Sequence, residues 1–117
     1  MTQKQLLSTI NKNSSLTEIQ TYIQKILEMR GFANEPIQDT MLLLLEEAGE
    51  LAKAIRKSST SMSVDVDKLH NYDTIESEVA DIFIVLTAIC NKTGINLFEA
   101  LAEKELVNCE RNWSFER

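Results

Sequence analysis

Five acidic side chains fall where carboxylates are costly. Glu46, Glu47 and Glu50 follow the leucine run 42–45, and Glu78 and Asp81 open the most apolar stretch of the chain. Between Val79 and Cys90 only Asp81 and Thr87 interrupt that stretch. On helices, Glu47/Glu50 and Glu78/Asp81 are i, i+3 pairs, so each pair shares a face with its members about 4.5 Å apart along the axis. Carboxylates repel at close range and are expensive to bury alone. A single E-x-x-E pair is ordinarily a solvated face. Acids in a first helical turn are favoured by the helix dipole, which accounts for Glu76 and Glu78 but less well for Asp81. Two matched pairs on two central helices need a counter-charge, and a divalent cation supplies it.

The donor set narrows the ion. Glu47, Glu50, Glu78 and Asp81 offer hard oxygens with no histidine or thiolate nearby in sequence, which favours Mg²⁺, with Mn²⁺ as the alternative, over Zn²⁺ or copper. Carboxylate-bound Mg²⁺ keeps water and takes substrate phosphate oxygens as remaining ligands. The pattern therefore points to phosphate-ester or anhydride chemistry. A di-iron carboxylate bundle would use Glu-x-x-His motifs. The single histidine, His70, falls in a polar loop, so that class is rejected; His70 reads as a surface residue, with a transient substrate contact as the alternative.

Helices must position these groups. Ser15 and Glu18 form an S-x-x-E capping box. Leu16, Ile19, Ile23, Ile26 and Leu27 then recur at helical spacing, and Gly31 is a suitable left-handed stop. Pro36 suits a first turn, and the second helix is expected over Ile37–Lys57, with Lys53, Arg56 and Lys57 favouring its C-terminal end. Residues 58–72 are polar and Ser-rich and read as a loop, with a short turn around Val66–Leu69. Asp73, with Glu76 three residues on, is expected to start the third helix, which is apolar on nearly all sides and reads as buried. Gly94 ends it. Asn96 and Glu99 cap a fourth helix running to about Asn112. Residues 1–14 read as a frayed helix or a docking arm. The fold expected is all-α, a four-helix bundle-like single domain over 1–117. Gly49 in mid-helix costs about 1 kcal/mol relative to Ala and suggests a close helix crossing. The leucine run 42–45 places apolar groups all round one turn, which predicts an oligomer interface.

Composition limits the alternatives. The chain has 117 residues, net charge −6, 44% hydrophobic and 26% charged residues, one Pro and three Gly. That suits one soluble globular domain. The acidic balance argues against a nucleic-acid partner, which needs clustered Lys and Arg. The longest apolar runs are far short of the roughly 20 residues that span a bilayer, so no membrane role is expected. Cys90 and Cys109 fit no disulfide framework or metal knuckle, and no apolar signal core follows Met1–Gln5. A reduced, cytoplasmic protein is the expectation.

The string from Leu44 to Ile55, LLEEAGELAKAI, resembles the first motif of the MazG-like nucleoside triphosphate pyrophosphohydrolases, members of the all-α NTP pyrophosphatase superfamily. Glu78-Val79-Ala80-Asp81 matches its second motif, E-x-x-D, and the segment from Gly94 to Leu101 with Lys104, Asn108 and Arg111 is similar to its third region. The resemblance covers about residues 16 to 113; the spacer between Glu50 and Glu78 is long for the family. The resemblance implies Mg²⁺-dependent hydrolysis of (d)NTP to (d)NMP and pyrophosphate in nucleotide-pool cleaning. It implies that Glu47, Glu50, Glu78 and Asp81 hold the metal, and it makes Glu46 and Glu47 the catalytic candidates. Glu46 would be a proton acceptor for the attacking water or would support the ligands, a plain surface acid being the alternative. Lys104, Asn108 and Arg111, at i, i+4 and i+7, become candidate phosphate or ribose contacts; otherwise they are a solvated polar face. Trp113 would stack on a base or anchor packing. The resemblance also implies a homodimer or homotetramer.

Two other functions compete. A phosphoribosyl-ATP pyrophosphatase shares the carboxylate pattern, but the Glu-Ala-Gly-Glu-Leu form looks more MazG-like. A non-catalytic helical oligomer that binds a nucleotide or a protein would show no turnover.

Overall fold

In the computed structural model, residues 1–71 and 74–115 are described, with backbone alone at 69–71. Among them every regular element is helical: α1 (Gln3–Leu7), α2 (Leu16–Arg30), α3 (Ile37–Ser59), a 3₁₀ turn (Val66–Asn71), α4 (Ile75–Thr93) and α5 (Leu97–Cys109). The four long helices are those the sequence predicts, and the N-terminal arm adds the short α1. The expectations for Asp73 and the His70 side chain fall outside the described residues.

Local chemistry accounts for most boundaries. The Ser15 hydroxyl accepts from the Glu18 N–H at 3.0 Å, and the Glu18 carboxylate accepts from the Ser15 N–H at 3.1 Å. Asn96 accepts from the Glu99 N–H at 2.9 Å. Gly31 and Gly94 take left-handed φ values of 84° and 70° at the ends of α2 and α4, a region that favours glycine.

Three boundaries differ from expectation. Helix α3 runs two residues past Lys57 because the Ser58 hydroxyl donates to the Ala54 carbonyl (2.7 Å) and that of Thr60 to Arg56 (2.6 Å), satisfying late carbonyls within the Ser-rich segment. Helix α4 starts at Ile75 with Thr74 as its cap; the Thr74 hydroxyl accepts from the Ser77 N–H. Helix α5 ends at Cys109, before Asn112. There the Trp113 indole N–H takes the Asn108 carbonyl (2.7 Å), and the Glu110 and Arg111 N–H groups fold back to Val107 and Asn108.

Helices α3 and α4 form the principal pair and α2 packs on α4, while α1 and α5 flank α2. Ile23 and Ile26 of α2, Ala54 of α3, and Thr87, Ala88 and Cys90 of α4 are buried at these contacts. A single side chain joins three helices. The buried Gln20 amide donates to Asn91 Oδ1 (3.1 Å) and the Ile95 carbonyl (3.0 Å), and accepts from the Leu97 N–H (2.7 Å). Lys92 fixes the α2–α3 connection by donating to the carbonyls of Ala33 (3.1 Å) and Glu35 (2.7 Å).

Helix α4 is less buried than its composition predicts. Residues 82–85 are half-exposed, and Val79 and Leu86 are exposed. One chain covers α4 with α3 and α2 and leaves its remaining side open. Nor does Gly49 mark a crossing within the chain, since a Cβ there would meet no atom within 4 Å.

Candidate metal and substrate site

Two helical stripes face each other across the α3–α4 pair. Thr40, Leu43 and Glu47 recur at i, i+3 and i+7 on α3. Asp81, Ile84, Val85, Ala88 and Lys92 recur at i, i+3, i+4, i+7 and i+11 on α4. Both stripes line one cavity of about 230 Å³, which α2 closes with Leu27 and Arg30, and the α2–α3 connection with Phe32 and Glu35. Lys92 bonds to the Glu35 carbonyl just before α3 at one end and Glu47 clusters with Asp81 at the other, so the helices run antiparallel.

The carboxylates gather at the Glu47 end. One oxygen each from Glu47, Glu78 and Asp81 can be chosen so that all three lie within 4.8 Å of one another. Glu78 is 4% exposed and Glu47 and Asp81 are half-buried. The i, i+3 register puts Glu78 and Asp81 on the same side of α4, and α3 brings Glu47 to meet them. Burial pushes the Glu47 carboxyl above its ordinary value of 4.5, and the negative charges of Asp81, Glu50 and Glu46 push it further; a hydrogen bond with Glu78 opposes them. Converging carboxylates that raise one another in this way favour a bound cation, and a hard divalent ion fits both the donor type and the spacing. The three residues fit such an ion.

The other sequence candidates stand differently. Glu50 is exposed and lies outside the three-oxygen cluster, though close enough to act on Glu47 through its charge. Glu46 is exposed and acts on Glu47 in the same way. Lys104, Asn108 and Arg111 do not line the cavity. Lys104 and Asn108 sit on α5, but Arg111 falls beyond its last turn, so the predicted three-residue face is broken. Trp113 is exposed and its indole N–H caps α5.

Sequence reasoning passed over Arg30, Thr40 and Lys92, which line the cavity with Glu47 and Asp81. The signal was present in the heptad-like spacing: Thr40 shares Glu47's stripe, and Lys92 shares that of Asp81. Arg30 carried no such signal, because α2 bears none of the carboxylates.

Compared with known families, residues 35–105 match the model of the MazG nucleotide pyrophosphohydrolase domain. No curated protein and no solved structure matches the chain. The matched span contains all of the carboxylates and the cavity walls on α3 and α4, and leaves out α1 and α2.

Proposed function

Because the chain belongs to the MazG nucleotide pyrophosphohydrolase family, we propose that it hydrolyses nucleoside or deoxynucleoside triphosphates to the monophosphate and pyrophosphate. The observation that carries this reading is the meeting of Glu47, Glu78 and Asp81 at one end of an apolar-walled cavity. The carboxylates suit a metal-bound phosphate chain, and Leu27, Phe32, Leu43, Ile84 and Val85 suit the faces of a base.

Mg²⁺, or Mn²⁺ in its place, would neutralise phosphate charge and lower the pKa of a bound water. Glu47, Glu78 and Asp81 would hold that ion, with Glu50 joining from the next turn of α3. Glu46, beside Glu47 on α3, would accept the proton of the attacking water or support the ligands. The apolar walls exclude bulk water from the base, so binding energy goes into positioning the phosphates against the carboxylates. Lys104, Asn108 and Arg111 would reach phosphate or ribose from a second copy of the chain.

An assembly is part of this reading. Leu42, Leu45, Phe98, Leu101, Leu106 and Val107 are all more than half exposed. The chain exposes 8948 Å², against about 6,500 Å² for a compact monomer of its mass. Its radius of gyration is 17.6 Å, against about 13 Å for a compact chain of this length. The excess of about 2,500 Å² lies at the upper end of the roughly 1,000–2,500 Å² that each partner of an obligate interface buries. No single described helix is long and apolar enough to cross a membrane.

Hydrolysis of a triphosphate panel, with phosphoribosyl-ATP included, in ¹⁸O-labelled water tests the reaction. Label in the monophosphate, with pyrophosphate unlabelled, means attack at the α-phosphorus. Label in released orthophosphate or pyrophosphate contradicts it.

A further inference from the structure

Two cations line the cavity that holds Glu47 and Asp81. Lys92 is committed to the fold, since its ammonium donates to the backbone carbonyls of the α2–α3 connection. Arg30 is placed differently. It ends α2 at the exposed rim, and its Nε donates to the side-chain amide of Gln3 at 3.0 Å. Gln3 belongs to α1, which Leu6 anchors by its burial and Thr2 and Gln5 cap reciprocally. A neutral amide orients a guanidinium without cancelling its charge. It also leaves the two terminal nitrogens to form the fork that grips phosphate oxygens in pairs.

From this geometry we infer that Arg30, oriented by Gln3, contacts the phosphate chain of the substrate from the α2 wall of the cavity. The inference rests on the triphosphate reading above. The phosphate chain is the charged part of a nucleotide, and a guanidinium matches phosphate oxygens in both charge and fork geometry. Arg30 is thus a binding residue and Gln3 a positioning residue, which gives the N-terminal arm a part in the site.

Calorimetric titration separates the parts of the substrate. Magnesium tripolyphosphate serves as a phosphate chain without a base, and the four deoxynucleosides serve as bases without phosphate. The full-length protein is compared with Arg30→Ala, Arg30→Lys, Gln3→Ala and Gln3→Glu. Tripolyphosphate affinity is expected to fall about tenfold or more in Arg30→Ala, as for a lost charge-assisted hydrogen bond, and to recover partly in Arg30→Lys. A smaller loss is expected in Gln3→Ala, and a loss at least as large in Gln3→Glu, whose charge would neutralise the guanidinium. Deoxynucleoside affinity should not change in any of them. Unchanged tripolyphosphate affinity in Arg30→Ala, or a loss confined to deoxynucleosides, overturns the inference. An Arg30-dependent tripolyphosphate site in a protein that hydrolyses no nucleotide would uphold the anion contact and overturn the hydrolase reading instead.

Discussion

Glu47 on α3 brings a carboxylate oxygen within 4.8 Å of one from Glu78 on α4, across the interface between their helices. Metal and proton compete for these oxygens.

That competition fixes a pH dependence. The Glu47 carboxyl is raised above 4.5 in the folded chain, so the folded state holds its proton more tightly than the unfolded state does. Without metal, stability should be fullest below 4.5 and decline as pH rises from there through the raised folded value. Mg²⁺ should remove the decline by supplying the missing charge. Chemical denaturation at a series of pH values, with Mg²⁺ and with chelator, measures both arms. A metal-free protein that gains stability across that window would contradict the assignment.

The cluster should also respond in graded fashion to substitution. Glu47→Gln, Glu78→Gln and Asp81→Asn each remove one of three converging oxygens, and turnover should drop by about a hundredfold or more. Metal affinity should drop by at least tenfold. Glu50→Gln, outside the close cluster, should weaken metal binding less than any of the three. Steady-state rates against Mg²⁺ concentration, with circular dichroism to check folding, decide the order.

Gln20 offers a prediction about the fold alone. Its amide satisfies Asn91 of α4 and the backbone at Ile95 and Leu97 on either side of the α4–α5 connection. Gln20→Leu keeps the volume but strands those groups, at a cost of about 2 kcal/mol. Urea unfolding should show that loss with metal affinity nearly unchanged, since Gln20 does not line the carboxylate cavity.

Much of this could be read from spacing. The i, i+3 register put Glu78 and Asp81 on one side of α4, and Ser15/Glu18 and Asn96/Glu99 marked their helix starts, because caps and registers are local. What escaped was set by tertiary contact. That Lys92 holds a loop some 60 residues away and that Arg30 reaches the Glu47–Asp81 cavity depend on how α2 packs against α4. The end of α5 depends on an indole that folds back onto Asn108, which broke the predicted line from Lys104 to Arg111. The exposure of Val79 and Leu86 on α4 shows the limit of reading burial from apolar content: one chain has too few helices to cover that face.

The uncovered face makes its own prediction. Leu45→Glu on α3 and Leu106→Glu on α5 each place charge on the exposed apolar surface. Sedimentation velocity should find the wild-type chain as a dimer or tetramer and at least one variant shifted toward monomer. A monomeric wild type at tens of micromolar would contradict the assembly.

The central claim is that Glu47, Glu78 and Asp81 hold a divalent ion that drives pyrophosphate release. Its most direct test is product analysis of a nucleoside triphosphate panel with Mg²⁺, comparing wild type with folded Glu47→Gln and Asp81→Asn. Monophosphate and pyrophosphate in equal amounts, lost with chelator and in both variants, is the predicted result. Folded wild type that turns over no substrate, or variants that keep full activity, would contradict it.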